Sequence, residues 1–210
     1  WAIQGITEAG SGHPGASFSA AEIMGTLYFK RMRHDPSNPN WSERDYFINS
    51  KAHSAPGFYS TLAVAGYFQP EELRTLRQLG SRLQGHPVRY SEHQKQHSVP
   101  GIEYSGGSEG IGLSVGIGIA LAKKLDGKKN RVFVLIGDGE SNEGQIWEAS
   151  MAASKFKLDN LITILDRNRI QQDGFTEDIM PLDPIKDKWT AFNWEVFEVD
   201  GHRVEQIVDA

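Results

Sequence analysis

The chain has 210 residues, of which 39% are hydrophobic and 23% charged, with a net charge of −5 and no cysteine. That length fits one large α/β domain able to bury roughly 70% of its unfolded surface; the lack of cysteine excludes disulfides and thiolate chemistry and agrees with a cytoplasmic setting. An acidic balance without a run of Lys and Arg argues against nucleic acid, and no apolar stretch reaches the roughly 20 residues that span a bilayer, so no membrane is expected either. The chain opens on Trp1 and stops at Ala210 in what reads as the start of a helix. The expectation is therefore a single domain over 1–210 trimmed at both ends. No secretory signal, linker, low-complexity segment or internal repeat stands out.

Trp1 to Ala9 reads as the end of a helix, stopped by Gly10-Ser11-Gly12-His13-Pro14-Gly15. A second helix is predicted to follow, with Ser19 as N-cap and Glu22 at the capping-box spacing. Asp35 to Arg44 is a loop. Tyr46 to Asn49 is a short strand, and Lys51-Ala52-His53 stands at its carboxyl end, the edge on which open α/β sheets take ligands. Pro70 to Leu83 is predicted as a helix that begins on a proline and two glutamates. Gly85-His86-Pro87 follows, then a connection from Val88 to Val99 carrying His93 and His97. Their i, i+4 spacing suits a metal only on a helix with further ligands, so a solvated loop is the reading. Ser105 to Gly112 is glycine-rich and opens a small-residue helix, Leu113 to Lys124. Glycines before a helix N-terminus let backbone N–H groups approach phosphate oxygens.

The organising stretch is Arg131 to Gly174. A bare aliphatic run, Val132 to Ile136, reads as a buried parallel strand that ends in the tight turn Gly137-Asp138-Gly139. Next comes a helix with Ile146, Ala149, Ala153 and Phe156 near one face. A second apolar run, Leu161 to Leu165, stops at Asp166-Arg167-Asn168. This strand, helix, strand unit brings Asp138 and Asn168 to one sheet edge although 30 positions separate them. One carboxylate, one side-chain amide oxygen and a nearby main-chain carbonyl make a sparse all-oxygen set. Such a set suits Mg²⁺ completed by waters and a diphosphate. Trp194 to Val199 alternates and reads as a third strand, followed by Asp200-Gly201-His202, with His202 peripheral. Trp189, Phe192 and Trp194 read as core or interface. The fold class is α/β, an open, mainly parallel sheet with helices on both faces.

GDGE, EG and Asn168 at this spacing resemble the thiamine diphosphate signature, and EGQIWEA followed by DRNRIQQDG is similar to its transketolase form. SGHPG with SAAE, then SKAH, GHP and SGGSEGIG, resemble further transketolase motifs in the family's order, from about Ile6 to the end. The resemblance implies that Asp138, Asn168 and the main-chain carbonyl of Ile170 hold Mg²⁺, or Ca²⁺ in its place. It also implies cofactor contacts at Gly107, Glu109, Gly137, Asp138 and Gly139. His13, His53 and His86 become pocket histidines that handle protons at substrate hydroxyls. Glu143 matches an acid at the subunit interface that connects to the partner's cofactor-activating glutamate, and Glu148 a second member of that carboxylate network. The family departs at Ala16 and Phe18; at Ala52, where it has glycine and a methyl group narrows the pocket; and at Glu109, where its loop, STG.LGHG or TTGPLGQG, has leucine.

The implied reaction moves a two-carbon unit from a ketose, as a sugar phosphate of pentose phosphate type, to an aldose. The resemblance covers the diphosphate-binding (PP) domain alone. A pyrimidine-binding (Pyr) domain is then needed from elsewhere, as a C-terminal subunit or as the rest of a longer chain, giving a homodimer of PP domains or a heterotetramer. The competing readings are a deoxyxylulose-phosphate synthase, the α subunit of a 2-oxo-acid dehydrogenase, or a non-catalytic relative that keeps the fold.

Overall fold

Three short runs form the centre of the molecule in the computed structural model, which describes residues 1–210. β1 (Tyr46–Asn49), β2 (Val132–Gly137) and β3 (Leu161–Asp166) pair in the order β1-β2-β3, all parallel. Around them lie α1 (Ala2–Ala9), α2 (Pro14–Ser19), α3 (Ala21–Thr26), α4 (Ala55–Val64), α5 (Ile111–Leu125) and α6 (Gly144–Lys155). A two-stranded antiparallel hairpin, β4 (Ile170–Gln171) and β5 (Gly174–Phe175), leads to α7 (Thr176–Ile179), α8 (Ile185–Ala191) and α9 (Val204–Asp209).

The period-2 alternation of strand side chains divides the core in two. Ile48, Val132, Val134 and Ile136 pack against Leu113, Ile117 and Ala120 of α5 and Ile146, Ala149 and Ala153 of α6. Phe47, Phe133 and Leu135 face the other way, onto Ile23 and Met24 of α3 and Phe58 and Leu62 of α4. Covered on both sides, β2 is buried at every position, which is why its sequence is an unbroken apolar run. Each such side chain contributes about 1.5–3 kcal/mol by leaving water. The amino-terminal edge of the sheet is closed by Asp45, only 2% exposed. Its carboxylate accepts from the main-chain N–H groups of Arg33 (3.0 Å) and Arg131 (2.8 Å) and pairs with both guanidinium groups. Burial alone would raise this carboxyl, but the hydrogen bonds from Arg33 and Arg131 outweigh it and hold it below the usual range.

Four expectations are corrected. The helix predicted over Pro70–Leu83 shrinks to a 3-10 segment, Pro70–Thr75. Arg77 then takes φ 60° and the chain doubles back, its N–H bonding Leu83 O at 2.8 Å. Ser19 is not an N-cap: it ends α2, α3 starts without a side-chain cap, and the hydroxyl donates to Asp166 Oδ2 at 2.6 Å. Phe156 lies just past α6 and is 48% exposed, so the inward face ends at Ala153. Trp194–Val199 pairs with no strand. Trp194 and Val196 are half-buried on one side, and the Trp194 indole N–H reaches Ser150 O at 3.2 Å. The alternation thus records one-sided packing of an extended segment, which needs no ladder.

Candidate active site

The parallel register sets Asn49 beside Leu135 and Gly137 beside Asp166, so the carboxyl ends of all three strands meet at one edge. Asp138 is 1% exposed and accepts four hydrogen bonds there, only one of them on Oδ1. Its Oδ1 accepts from Gly139 N at 2.8 Å, and its Oδ2 from Arg169 N (2.7 Å), Thr176 Oγ1 (3.0 Å) and Arg167 Nη1 (3.2 Å). Arg169 adopts φ 66°, which turns the chain around that carboxylate. Asn168 Oδ1 accepts from Ile170 N at 2.9 Å, an Asx turn. Asp138 and Asn168 therefore shape their own turns, and Asn168 and the Ile170 carbonyl belong to the short loop that wraps the Asp138 carboxylate. The donors on offer, a single carboxylate with amide and carbonyl oxygens, fit a hard, partly hydrated cation whose other ligands come from a phosphate. Arg167 extends the network outward, pairing also with Glu177 and Asp183.

Sequence reasoning passed over Glu140, which is 2% exposed. It accepts from Gly137 N (2.9 Å), from Gly110 N (2.7 Å) and from the Ser50 hydroxyl, so one carboxylate joins the glycine turn, the start of α5 and the end of β1. Burial raises its pKa. The acidic residue that follows Gly-Asp-Gly was the available signal. The loop it anchors carries Gly107 at φ 147°, a backbone state that side chains disfavour. Glu109 sits in the same loop, its carbonyl accepting from Gln145 Nε2 at 2.8 Å and its Oε1 lying 3.6 Å from His53 Nδ1. Burial first, then Glu140 and Glu143, push the Glu109 carboxyl upward.

The three histidines converge. His13 stands at the start of α2 with its ring edge-on to His53, centroids 5.6 Å apart. His86 lies over Gly107, where a Cβ would come within 3.7 Å of the imidazole Cγ. Burial, then Lys51, His13 and His86, lower the His53 pKa to about 4. His13 is lowered by burial, Arg77 and His86. Glu143, just before α6, and Glu148, on it, are both exposed. His93 and His97 sit in an exposed 3-10 segment, Glu92–His97, with no metal-ligand cluster. His202 is exposed, 3.2 Å from Glu22.

Two further findings concern the residues around His53. The Ala52 methyl, 2% exposed, does not narrow the pocket but fills the space left by Gly106. A Cβ on Gly106 would lie 2.7 Å from that of Ala52. Positions 52 and 106 therefore share one volume, which the Ala52 methyl occupies and a side chain on Gly106 would contest. Lys51, 2% exposed, is the second buried charged group that sequence reasoning left without a role.

A family model described as transketolase, thiamine diphosphate binding domain, matches residues 1–210. A 6-deoxy-6-sulfo-D-fructose transketolase subunit of a Clostridium species is 44% identical over 208 residues, 99% of this chain and 73% of that relative. An apulose-4-phosphate transketolase subunit of Actinobacillus succinogenes is 45% identical over 198 residues, 94% of this chain and 69% of the relative. Among solved structures, a mutant Pichia stipitis transketolase superposes with a TM-score of 0.90 at 34% identity, covering 100% of this chain and 32% of that one. The chain thus spans about 70% of each of those two relatives and about a third of the Pichia enzyme. By sequence and by fold, it belongs to the transketolase N-terminal, thiamine diphosphate binding domain family.

Proposed function

We propose that this chain supplies the diphosphate and metal half of a transketolase site, transferring a two-carbon unit from a ketose to an aldose once a Pyr-domain partner completes it. The observation that carries the reading is the meeting of the Asp138–Asn168 turn, the Gly107 loop and the three histidines on one edge of the sheet. Asp138, Asn168 and the Ile170 carbonyl would hold Mg²⁺. Main-chain groups at Gly107, Glu109 and the Gly137-Asp138-Gly139 turn would hold the diphosphate. Bound thiamine diphosphate supplies the carbanion chemistry of the C–C bond step. His53, held neutral by burial, would accept a hydrogen bond from a substrate hydroxyl, with His13 and His86 beside it to handle protons. Glu143 and Glu148, exposed at the start of α6, would meet the partner's cofactor-activating carboxylate. Two of the relatives are named as transketolase subunits, which supports a partner chain and a sugar or sugar-phosphate substrate. The cytoplasm is the expected setting.

The test is ketol transfer from xylulose 5-phosphate to ribose 5-phosphate with thiamine diphosphate and Mg²⁺. This chain alone is compared with the chain plus the Pyr-domain polypeptide. Turnover is expected only in the mixture, and Asp138→Asn is expected to abolish Mg²⁺-dependent cofactor binding. Pyruvate turnover without ketol transfer would overturn the assignment in favour of a different thiamine diphosphate reaction.

A further inference from the structure

Lys51 and Asp166 form an ion pair whose side chains are 2% and 6% exposed. Removing two charges from water costs several kcal/mol per ion, and apolar residues of similar volume often hold a core as well or better. Stability alone is therefore a weak reason for this pair. Its place in the fold offers a stronger one. The Lys51 ammonium also donates to Ser19 Oγ at 2.8 Å and lies 3.4 Å from Ala16 O, so its three N–H groups have three partners. The Ser19 hydroxyl in turn donates to Asp166 Oδ2 at 2.6 Å. The Lys51 stem runs along the glycine turn, where a Cβ on Gly137 would sit 3.7 Å from Lys51 Cγ.

Each contact lies one to three residues from a group already placed in the site. Lys51 is two residues from His53, Ala16 three from His13, Asp166 two from Asn168, and Gly137 adjoins Asp138. No single ladder or helix joins all of these segments, because they come from the end of β1, from α2, from β3 and from β2 in turn. We propose that Lys51, Asp166 and Ser19 are positioning residues that lock the histidine-bearing segments to the metal-binding turn, so that cofactor and sugar are presented to each other in one fixed geometry. The inference rests on the site assignment above and adds to it the element that couples the site's two halves.

The test uses the complete chain together with its partner and probes the complex with thiamine diphosphate and Mg²⁺. Four variants are compared by melting temperature, cofactor affinity and ketol-transfer kinetics: Lys51→Met, the double variant Lys51→Met/Asp166→Asn, Ser19→Ala, and Asp138→Asn as a control. Lys51→Met alone leaves a buried carboxylate uncompensated and is expected to melt lower. The double variant removes both charges and is expected to regain the melting temperature, while Mg²⁺-dependent cofactor affinity stays about 10- to 100-fold weaker, the usual cost of losing support behind a ligand. Its kcat is expected to fall with little change in the KM for the ketose. Ser19→Ala keeps the charges balanced and is expected to weaken cofactor binding by about fivefold, one hydrogen bond's worth. A double variant that regains both stability and full cofactor affinity overturns the proposal. If the double variant stays unstable, unchanged affinity in Ser19→Ala overturns it. Unimpaired binding by Asp138→Asn would instead overturn the site assignment itself.

Discussion

At the scale of single residues, the site is built from close fits that can be measured in pairs. Ala52 and Gly106 divide one volume between them, and a Cβ on Gly106 would approach that of Ala52 to 2.7 Å. Gly106→Ala is expected to cost about 1–3 kcal/mol, the range for overpacking a filled space. Combining it with Ala52→Gly is expected to restore most of that loss. Urea denaturation of the two single variants and the double gives the coupling directly, and additive losses would separate the two positions. His53 offers a second measurement. Its pKa in the fold is about 4 against the usual 6.5, so between those values the unfolded chain binds more protons than the folded one. Stability owed to the neutral imidazole is complete above pH 6.5 and is lost as pH falls toward 4. His53→Asn is therefore expected to flatten the acid limb of melting temperature against pH. Curves that stay parallel down to pH 4 would show that His53 does not titrate in this way.

At the scale of elements, the two edges of the sheet have separate tasks. The carboxyl edge gathers Asp138, Asn168 and the three histidines, while the amino edge is closed by Asp45 between Arg33 and Arg131. The two guanidinium side chains are 44% and 35% exposed, which reduces the value of the ion pairs, but two main-chain N–H groups depend on the same carboxylate. Asp45→Ala is expected to cost about 2 kcal/mol and lower the melting temperature by about 4–8 °C. Cofactor affinity should stay intact, and a parallel loss would mean that the two edges are not independent. The elements themselves were legible to different degrees. β2 and β3 could be read because strands covered on both faces are continuous apolar runs, and α6 because Ile146, Ala149 and Ala153 recur on one buried face. The stretch from Pro70 to Leu83 could not, because the positive φ at Arg77 has no local signature in a residue that usually avoids it. Trp194 to Val199 misled for the opposite reason: its alternation is real, but nothing in a sequence says whether a neighbouring strand is there to pair. The candidate site followed the same rule. Asp138, Asn168 and the histidines stand at turns that motifs announce, whereas Glu140, Lys51 and Asp166 act through partners 30 to 115 positions away.

At the scale of the whole molecule, the candidate site is a surface and not a chamber. A cavity of about 620 Å³ lies elsewhere, lined by residues such as Glu72, Ser81, Arg82 and Lys95. Around the Asp138–Asn168 turn, Ile170 (50%), Phe175 (62%), Ile179 (43%) and Met180 (55%) leave apolar surface open to solvent. His13, His86, Glu143 and Glu148 are exposed as well. A catalytic wall of this kind reaches a low dielectric only when a second body covers it. Under the pairing with a Pyr domain proposed above, the apolar side chains around Asp138 turn subunit concentration into a kinetic variable. Specific activity should fall on dilution below the dissociation constant of the assembly, and a saturating level of substrate should not restore it.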